Sequence, residues 1–275
     1  MAKIGIKVQS RMTQGLKQFL PILASAKARD VSEADTVTLV KDMLAEIFGY
    51  DKYLEVSSEF SIRGTYCDLA IKLDGKLTLL IEVKAIGIDL KDQHVKQAVD
   101  YAANQGLDWV ILTNGSKWQV YKLEFTKPIS KELVLDLNIE NCSTRSSSDI
   151  DLLYLLCKEG WQKSALGEFN SQQQALSSYT IAALLQSDQL LKTLKRELKR
   201  LSTDVRIEEE DISRVLLSEV IKRDALEGDK AKEAKKRVGR LGKERAHKGP
   251  SSNGTINKDI HSKEQVSNED SDQSL

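Results

Sequence analysis

Residues 66–85, YCDLAIKLDGKLTLLIEVKA, read as two strands about a short polar turn, with three charged side chains set into the apolar pattern. Successive strand residues alternate between faces. Cys67, Leu69, Ile71 and Leu73 therefore share one face of the first strand, and Asp68, Ala70 and Lys72 the other. On the second strand Leu77, Leu79, Ile81 and Val83 share a face opposite Thr78, Leu80, Glu82 and Lys84. Burying both apolar sets on one side requires a register that pairs Leu69 with Ile81, because a one-residue slip turns a whole set outward. That register sets Asp68 across from Glu82, with Lys84 one step along. Counted inward, it pairs Leu73 with Leu77 and leaves Asp74-Gly75-Lys76 as a three-residue loop, Gly75 supplying the left-handed conformation.

Directly opposed carboxylates, with Cβ atoms about 4.5–5.5 Å apart, destabilise a sheet. A divalent cation would offset the repulsion, and magnesium suits one or two carboxylates completed by water and phosphate oxygens. An ion pair with Lys84 would also offset it. The plain alternative is a surface Asp/Glu/Lys cluster with no chemistry. These residues alone leave all three readings open.

Outward from the hairpin, the chain alternates strand and helix. Residues 8–28 are amphipathic and helical, with Pro21 expected to kink or interrupt them. A second helix starts near Ser32 as its cap, carries acids in its first turn and stops at Gly49. EVSSEFSIR (55–63) reads as an edge-like strand. KDQHVKQAVDYAANQG (91–106) is helical and ends on Gly106. In LDWVILTNGSKWQVYKLEF (107–125) two strands flank Asn114-Gly115, the preferred type I′ dipeptide. This order predicts an α/β domain with a mixed central sheet flanked by helices over 31–140, on which a helix within 1–30 packs. An all-helical region follows over 148–247, where apolar residues recur at three and four. A disordered tail, nearly devoid of apolar residues, is expected over 248–275.

Composition narrows the function. The chain is 40% apolar and 30% charged with zero formal net charge, so any polyanion contact comes from local patches. No apolar run reaches the roughly 18 residues of a membrane helix, and the N-terminus does not read as a secretory leader. Three scattered cysteines suit a reducing cytoplasm, and three histidines without paired spacing make a zinc site improbable. No GxxxxGK[ST] loop occurs, so no ATP motor is expected.

Asp68, then Glu82-x-Lys84 on a hairpin, then Gln97 and Tyr101 four apart on the next helix together resemble the PD-(D/E)XK nuclease superfamily. More narrowly, SEADT, YCDLAIKLDGKLTLLIEVK and QAVDYAANQGLDWVILTNGSKWQVYKL, over about residues 32 to 123, resemble the N-terminal nuclease domain of type I restriction enzyme R subunits. The resemblance implies a restriction-endonuclease-like fold and a magnesium-dependent endonuclease of DNA, with manganese able to substitute. It implies that Asp68, Glu82 and the Val83 carbonyl bind the metal, joined by Glu33, for which Glu46 competes. Lys84 would orient or activate the attacking water, and Gln97 and Tyr101 would support the site and contact DNA. The superfamily's proline is absent, since Cys67 precedes Asp68. Complete R subunits fuse this domain to an ATP-driven translocase, and without that motor a stand-alone relative is expected.

A non-catalytic nucleic-acid-binding or assembly protein keeping the same fold is the alternative, and RNA is a third reading of the substrate. Residues 222–248 are rich in lysine and arginine and fit either DNA contact or a solvated helix of mixed charge. Leu184, Leu191, Leu194, Leu198 and Leu201 fit either an internal core or the seam of a homodimer.

Overall fold

The computed structural model describes residues 3–62 and 65–247, so the expected disordered tail, 248–275, lies outside the described residues. The chain divides into two compact units after Ala175. In the first, α1 (Ile6–Ala28), α2 (Glu33–Glu46) and α3 (Asp92–Gln105) enclose a sheet of β1 (Val56–Ile62), β2 (Thr65–Leu73), β3 (Lys76–Val83), β4 (Trp109–Thr113), β5 (Lys117–Glu124) and β6 (Ser130–Asn138). Spatial order follows chain order. Only β3 and β4 run parallel, joined through α3, and every other neighbouring pair is antiparallel.

Two apolar layers hold this α/β sandwich. On one side Leu69, Ile71, Leu79, Ile81 and Val83 pack with Met12, Leu16, Phe19 and Leu23 of α1 and Val40, Met43 and Leu44 of α2. On the other, Ala70, Leu80, Val110 and Leu112 pack against Val95, Ala98, Val99 and Ala102 of α3. The β2–β3 strands are thus apolar on both faces, as buried strands beside a parallel pair require.

The hairpin keeps the Leu69–Ile81 pairing but closes differently from expectation. Leu73 pairs with Lys76, and a bulge opposite Ile71–Lys72 leaves Thr78 as the extra residue. The loop is therefore two residues, Asp74 and Gly75, with φ of 50° and 74°. Two left-handed residues are what a tight primed turn needs. The bulge absorbs the odd residue and reverses the alternation, so Leu77 packs with the α3-side layer rather than beside Leu79. Cys67, expected with Leu69, also packs on the α3 side, its Sγ 3.4 Å from the Ile81 carbonyl oxygen.

Two further expectations change. α1 runs unbroken through Pro21, because that proline lies on the exposed face, where water can hydrate the Lys17 carbonyl it leaves unpaired. The 114–115 dipeptide is not a type I′ turn: Gly115 has φ of 85°, but Asn114 does not enter the left-handed region. Asn114 instead accepts the Lys117 N–H on Oδ1 at 2.8 Å, and its Nδ2 bonds the carbonyls of Ile86 and Ile88.

After β6, α4 (Ser147–Tyr154), α5 (Lys158–Gln162) and α6 (Ala165–Ala175) complete the first unit. The Arg11 fork grips Glu159 with two bonds of 2.8 and 2.7 Å and also reaches the Ile47 carbonyl, tying α1 and the end of α2 to α5. Cys67, Cys142 and Cys157 are all buried free thiols. The second unit holds α7 (Ser178–Leu185), α8 (Asp188–Leu201), α9 (Glu209–Val215) and α10 (Gly228–His247). Its leucine stripe divides: Leu191 is buried with Ile212 and Leu216, Leu194 packs against them, and Leu201 is 82% exposed. No helix among the described residues is long and apolar enough to cross a membrane.

Candidate active site

The sequence residues Asp68, Glu82 and Lys84 meet where β3 ends, at the carboxyl end of the parallel pair. In open α/β sheets that end is where ligands bind. β3 positions Glu82 because Leu80 and Ile81 on either face anchor the strand in the two layers. Glu82 is consequently a carboxylate held only 6% exposed among apolar neighbours. Lys84 follows directly, its N–H bonded to the Thr113 carbonyl of β4 at 2.8 Å.

The two acids take different partners. Asp68 Oδ2 accepts the Val83 N–H at 2.7 Å. Glu82 Oε1 accepts from Lys84 Nζ at 2.8 Å, and Glu33 Oε2 lies 3.5 Å from the same ammonium. Glu33 stands in the first turn of α2, capped by Ser32, whose Oγ accepts the Asp35 N–H. Glu46 lies at the opposite end of that helix, about 20 Å away at 1.5 Å per residue. Of the two acids weighed on α2, it is Glu33 that reaches Lys84.

The electrostatics follow from burial. Desolvation pushes the Asp68 carboxyl up, against the pull of the Val83 N–H and the Lys84 charge. It also pushes Glu82 up; the Lys84 bond opposes the shift, while Asp68 adds to it. For Lys84, burial favours loss of the proton, but Glu82, Glu33 and Asp68 outweigh it and hold the ammonium above the ordinary lysine range. Lys84 is therefore a fixed positive charge in this arrangement.

One oxygen of the cluster is unaccounted for. Glu82 Oε2 is buried and has no hydrogen-bond partner. A buried acceptor left unsatisfied is costly, and a hard cation is a partner that chemistry would allow. The donor set fits a two-carboxylate site, with Glu82 Oε2 and Asp68 as ligands and water or phosphate oxygens completing the shell. It does not form a closed cage: no group of three or more His, Cys, Asp or Glu among the described residues is disposed to hold a metal. Val83 buries its side chain in the α1–α2 layer and gives its N–H to Asp68.

Gln97 and Tyr101 act as a pair on α3: Gln97 Nε2 donates to Tyr101 Oη at 2.8 Å, and Tyr101 is buried in the α3-side layer. Two polar residues that the motif reading passes over hold the chain leaving Lys84. Thr36, fully buried on α2, accepts the Ile86 N–H at 3.2 Å. Asn114 holds the Ile86 and Ile88 carbonyls from the other side. In the sequence both are disguised, Thr36 as an ordinary helical residue and Asn114 as a turn former.

An open mixed sheet between helices, with acids and a lysine gathered at the carboxyl end of its parallel pair, has the architecture of a restriction-endonuclease-like α/β domain. Consistent with it, residues 39–134 match the family described as the type I restriction enzyme R protein N terminus. That segment holds Asp68, Glu82, Lys84, Gln97, Tyr101 and Asn114, but neither Glu33 nor the second unit. No curated protein and no solved structure gives a match.

Proposed function

We propose that the chain is a metal-dependent endonuclease of DNA, related to restriction. The observation that carries this reading is the buried, unpartnered Glu82 Oε2 beside Asp68 and the Lys84 ammonium. Asp68 and Glu82 would hold a magnesium ion, which manganese could replace. When bound, such an ion polarises a phosphate oxygen and lowers the pKa of water. Lys84 supplies preorganised positive charge where phosphorane charge develops, held in place by Glu82 and Glu33. Glu33 serves in this arrangement through Lys84, and as a ligand only by leaving it. Gln97, exposed on α3, would line the approach of the DNA, while Tyr101, expected from the resemblance to contact DNA, is buried and would act only by holding Gln97 in place. No ATP is required. Three buried free thiols suit a reducing cytoplasm.

The test is plasmid cleavage by purified protein with magnesium, manganese or EDTA. Wild type should nick or linearise DNA only with metal. Lys84→Ala and Glu82→Ala should each lose about 10²–10³-fold, the usual effect of removing one preorganised charge or donor. Equal cleavage by all three proteins would assign the activity to a contaminant.

The absence of a three-ligand cluster among the described residues favours one second reading, a non-catalytic nucleic-acid-binding protein on the same fold. DNA binding without cleavage in any metal would select it. A homodimer through the exposed end of the leucine stripe at Leu198 and Leu201 belongs to the proposal as well, and light scattering on the full chain decides it.

A further inference from the structure

The unit that carries the candidate site has no net positive charge. Residues 1–175 contain 21 Lys and Arg against 23 Asp and Glu. Affinity for a nucleic-acid backbone comes largely from cationic side chains neutralising phosphates, and this unit offers no excess of them.

The excess lies on two helices of the second unit. α8 has five Lys and Arg against two acids, and α10 has eight against three. α10 buries the small side chains Ala231 and Ala234, and it packs on α7, where Ala182 and Ala183 are buried. At 3.6 residues per turn, the face opposite those alanines carries Lys232, Lys236 and Arg240, each four residues from the next. All three are exposed, in a row about 12 Å long. Lys232 has Asp229 at 3.0 Å, but both side chains are solvent-exposed, where such pairs contribute little. Lys236 and Arg240 have no ion-pair partner among the described residues. Glu233 stands on the flank of the row and reduces its charge without interrupting it. Like charges four apart on a helix repel, so the row is better satisfied by a polyanion than by water.

We infer that the Lys232–Lys236–Arg240 face of α10 is a phosphate-backbone contact for duplex DNA. It provides sequence-independent affinity for the backbone in addition to the contacts of the candidate site. The choice of DNA rests on the nuclease reading above; the surface itself rests on the charge and placement of α10.

The test is binding of the full chain to a labelled 30-base-pair duplex by fluorescence anisotropy, in EDTA, between 50 and 200 mM salt. For wild type, log affinity should fall linearly with log salt. The triple variant Lys232→Gln, Lys236→Gln, Arg240→Gln should flatten that slope by about 2–3, since each lost phosphate contact removes about 0.9. Its affinity at 100 mM salt should drop at least tenfold. Glu233→Lys, which extends the row, should tighten binding and steepen the slope. A folded triple variant with the wild-type slope, or a Glu233→Lys protein that binds no tighter, overturns the inference. If wild type shows the predicted salt dependence yet cuts no DNA with magnesium, the nuclease reading fails and the α10 assignment stands.

Discussion

Glu82 is the most exposed to consequence of its own burial. Its carboxyl is pushed above the usual range by desolvation, so the folded state holds that proton more firmly than the unfolded chain does. Stability from this group is therefore full below its ordinary value of 4.5 and is lost as pH rises through the elevated one. Asp68 works in the same direction. Without metal, Glu82→Gln should melt higher than wild type at pH 7, and the gap should close on acidification toward pH 4. Magnesium should raise the melting temperature of wild type but not of the variant, because ligand that binds only the folded form stabilises it. Scanning calorimetry in EDTA and in magnesium checks both. Nearby, Asn114→Ala removes the donor that holds two loop carbonyls and should destabilise by about 1–3 kcal/mol, read from urea denaturation. The Asp68–Glu82–Lys84 set was legible because a two-residue alternation fixes which side chains share a face. What each carboxylate bonds was not legible. Asp68 turns to a backbone N–H and Glu33 to Lys84, and such choices depend on three-dimensional reach rather than spacing.

Helices declare their ends more openly than strands declare their closures. Ser32, Gly49 and Gly106 behave as cap or stop signals, Gly49 and Gly106 with φ of 80° and 67°. Ser32→Ala should cost about 1 kcal/mol and loosen the first turn that presents Glu33, measured as lost stability on urea titration. Gly15 is a different case, an interior helical residue whose added Cβ would lie 2.9 Å from Ile47 Cγ1 and 3.0 Å from the Glu46 carbonyl. Gly15→Ala should push α1 from α2 and destabilise by about 1–3 kcal/mol, visible as a lower melting temperature. The hairpin's closure departs from the three-residue loop expected because the apolar pattern fits that loop as well as a two-residue loop with a bulge; the preference of Asp-Gly for left-handed backbone decides it. β6 went unread because its short apolar run, Leu133 to Leu135 with Leu137, does not alternate cleanly, Leu133 being 45% exposed while Val134, Leu135 and Leu137 are buried. Its place beside β5 comes from completing a sheet edge, which no local signal announces.

Taken whole, the chain joins a sheet-bearing unit with a candidate metal site to a helical one that contains two basic helices, α8 and α10. Within the first of these, residues 39–134 match a known family. A chain ending at Ala175 should retain the sheet and unfold in one cooperative step, since both apolar layers are contained within it; circular dichroism melts of that fragment test this. The three cysteines of the sequence all lie in the same unit. Burial pushes Cys67 and Cys157 up to about 12 and Cys142 to about 11, so at neutral pH all three are thiols, Cys67 and Cys157 with no exposure and Cys142 with 9%. Reaction of Cys67 and Cys157 with a disulfide reagent then requires the protein to open first, and that of Cys142 is slowed by its burial. The native sequence thus contains three clocks: Cys67 for parting of the hairpin that bears the acids, and Cys142 and Cys157 for release of the segments packed behind the sheet. Their labelling rates would report those openings separately, without any probe being introduced and without a signal from the helical half.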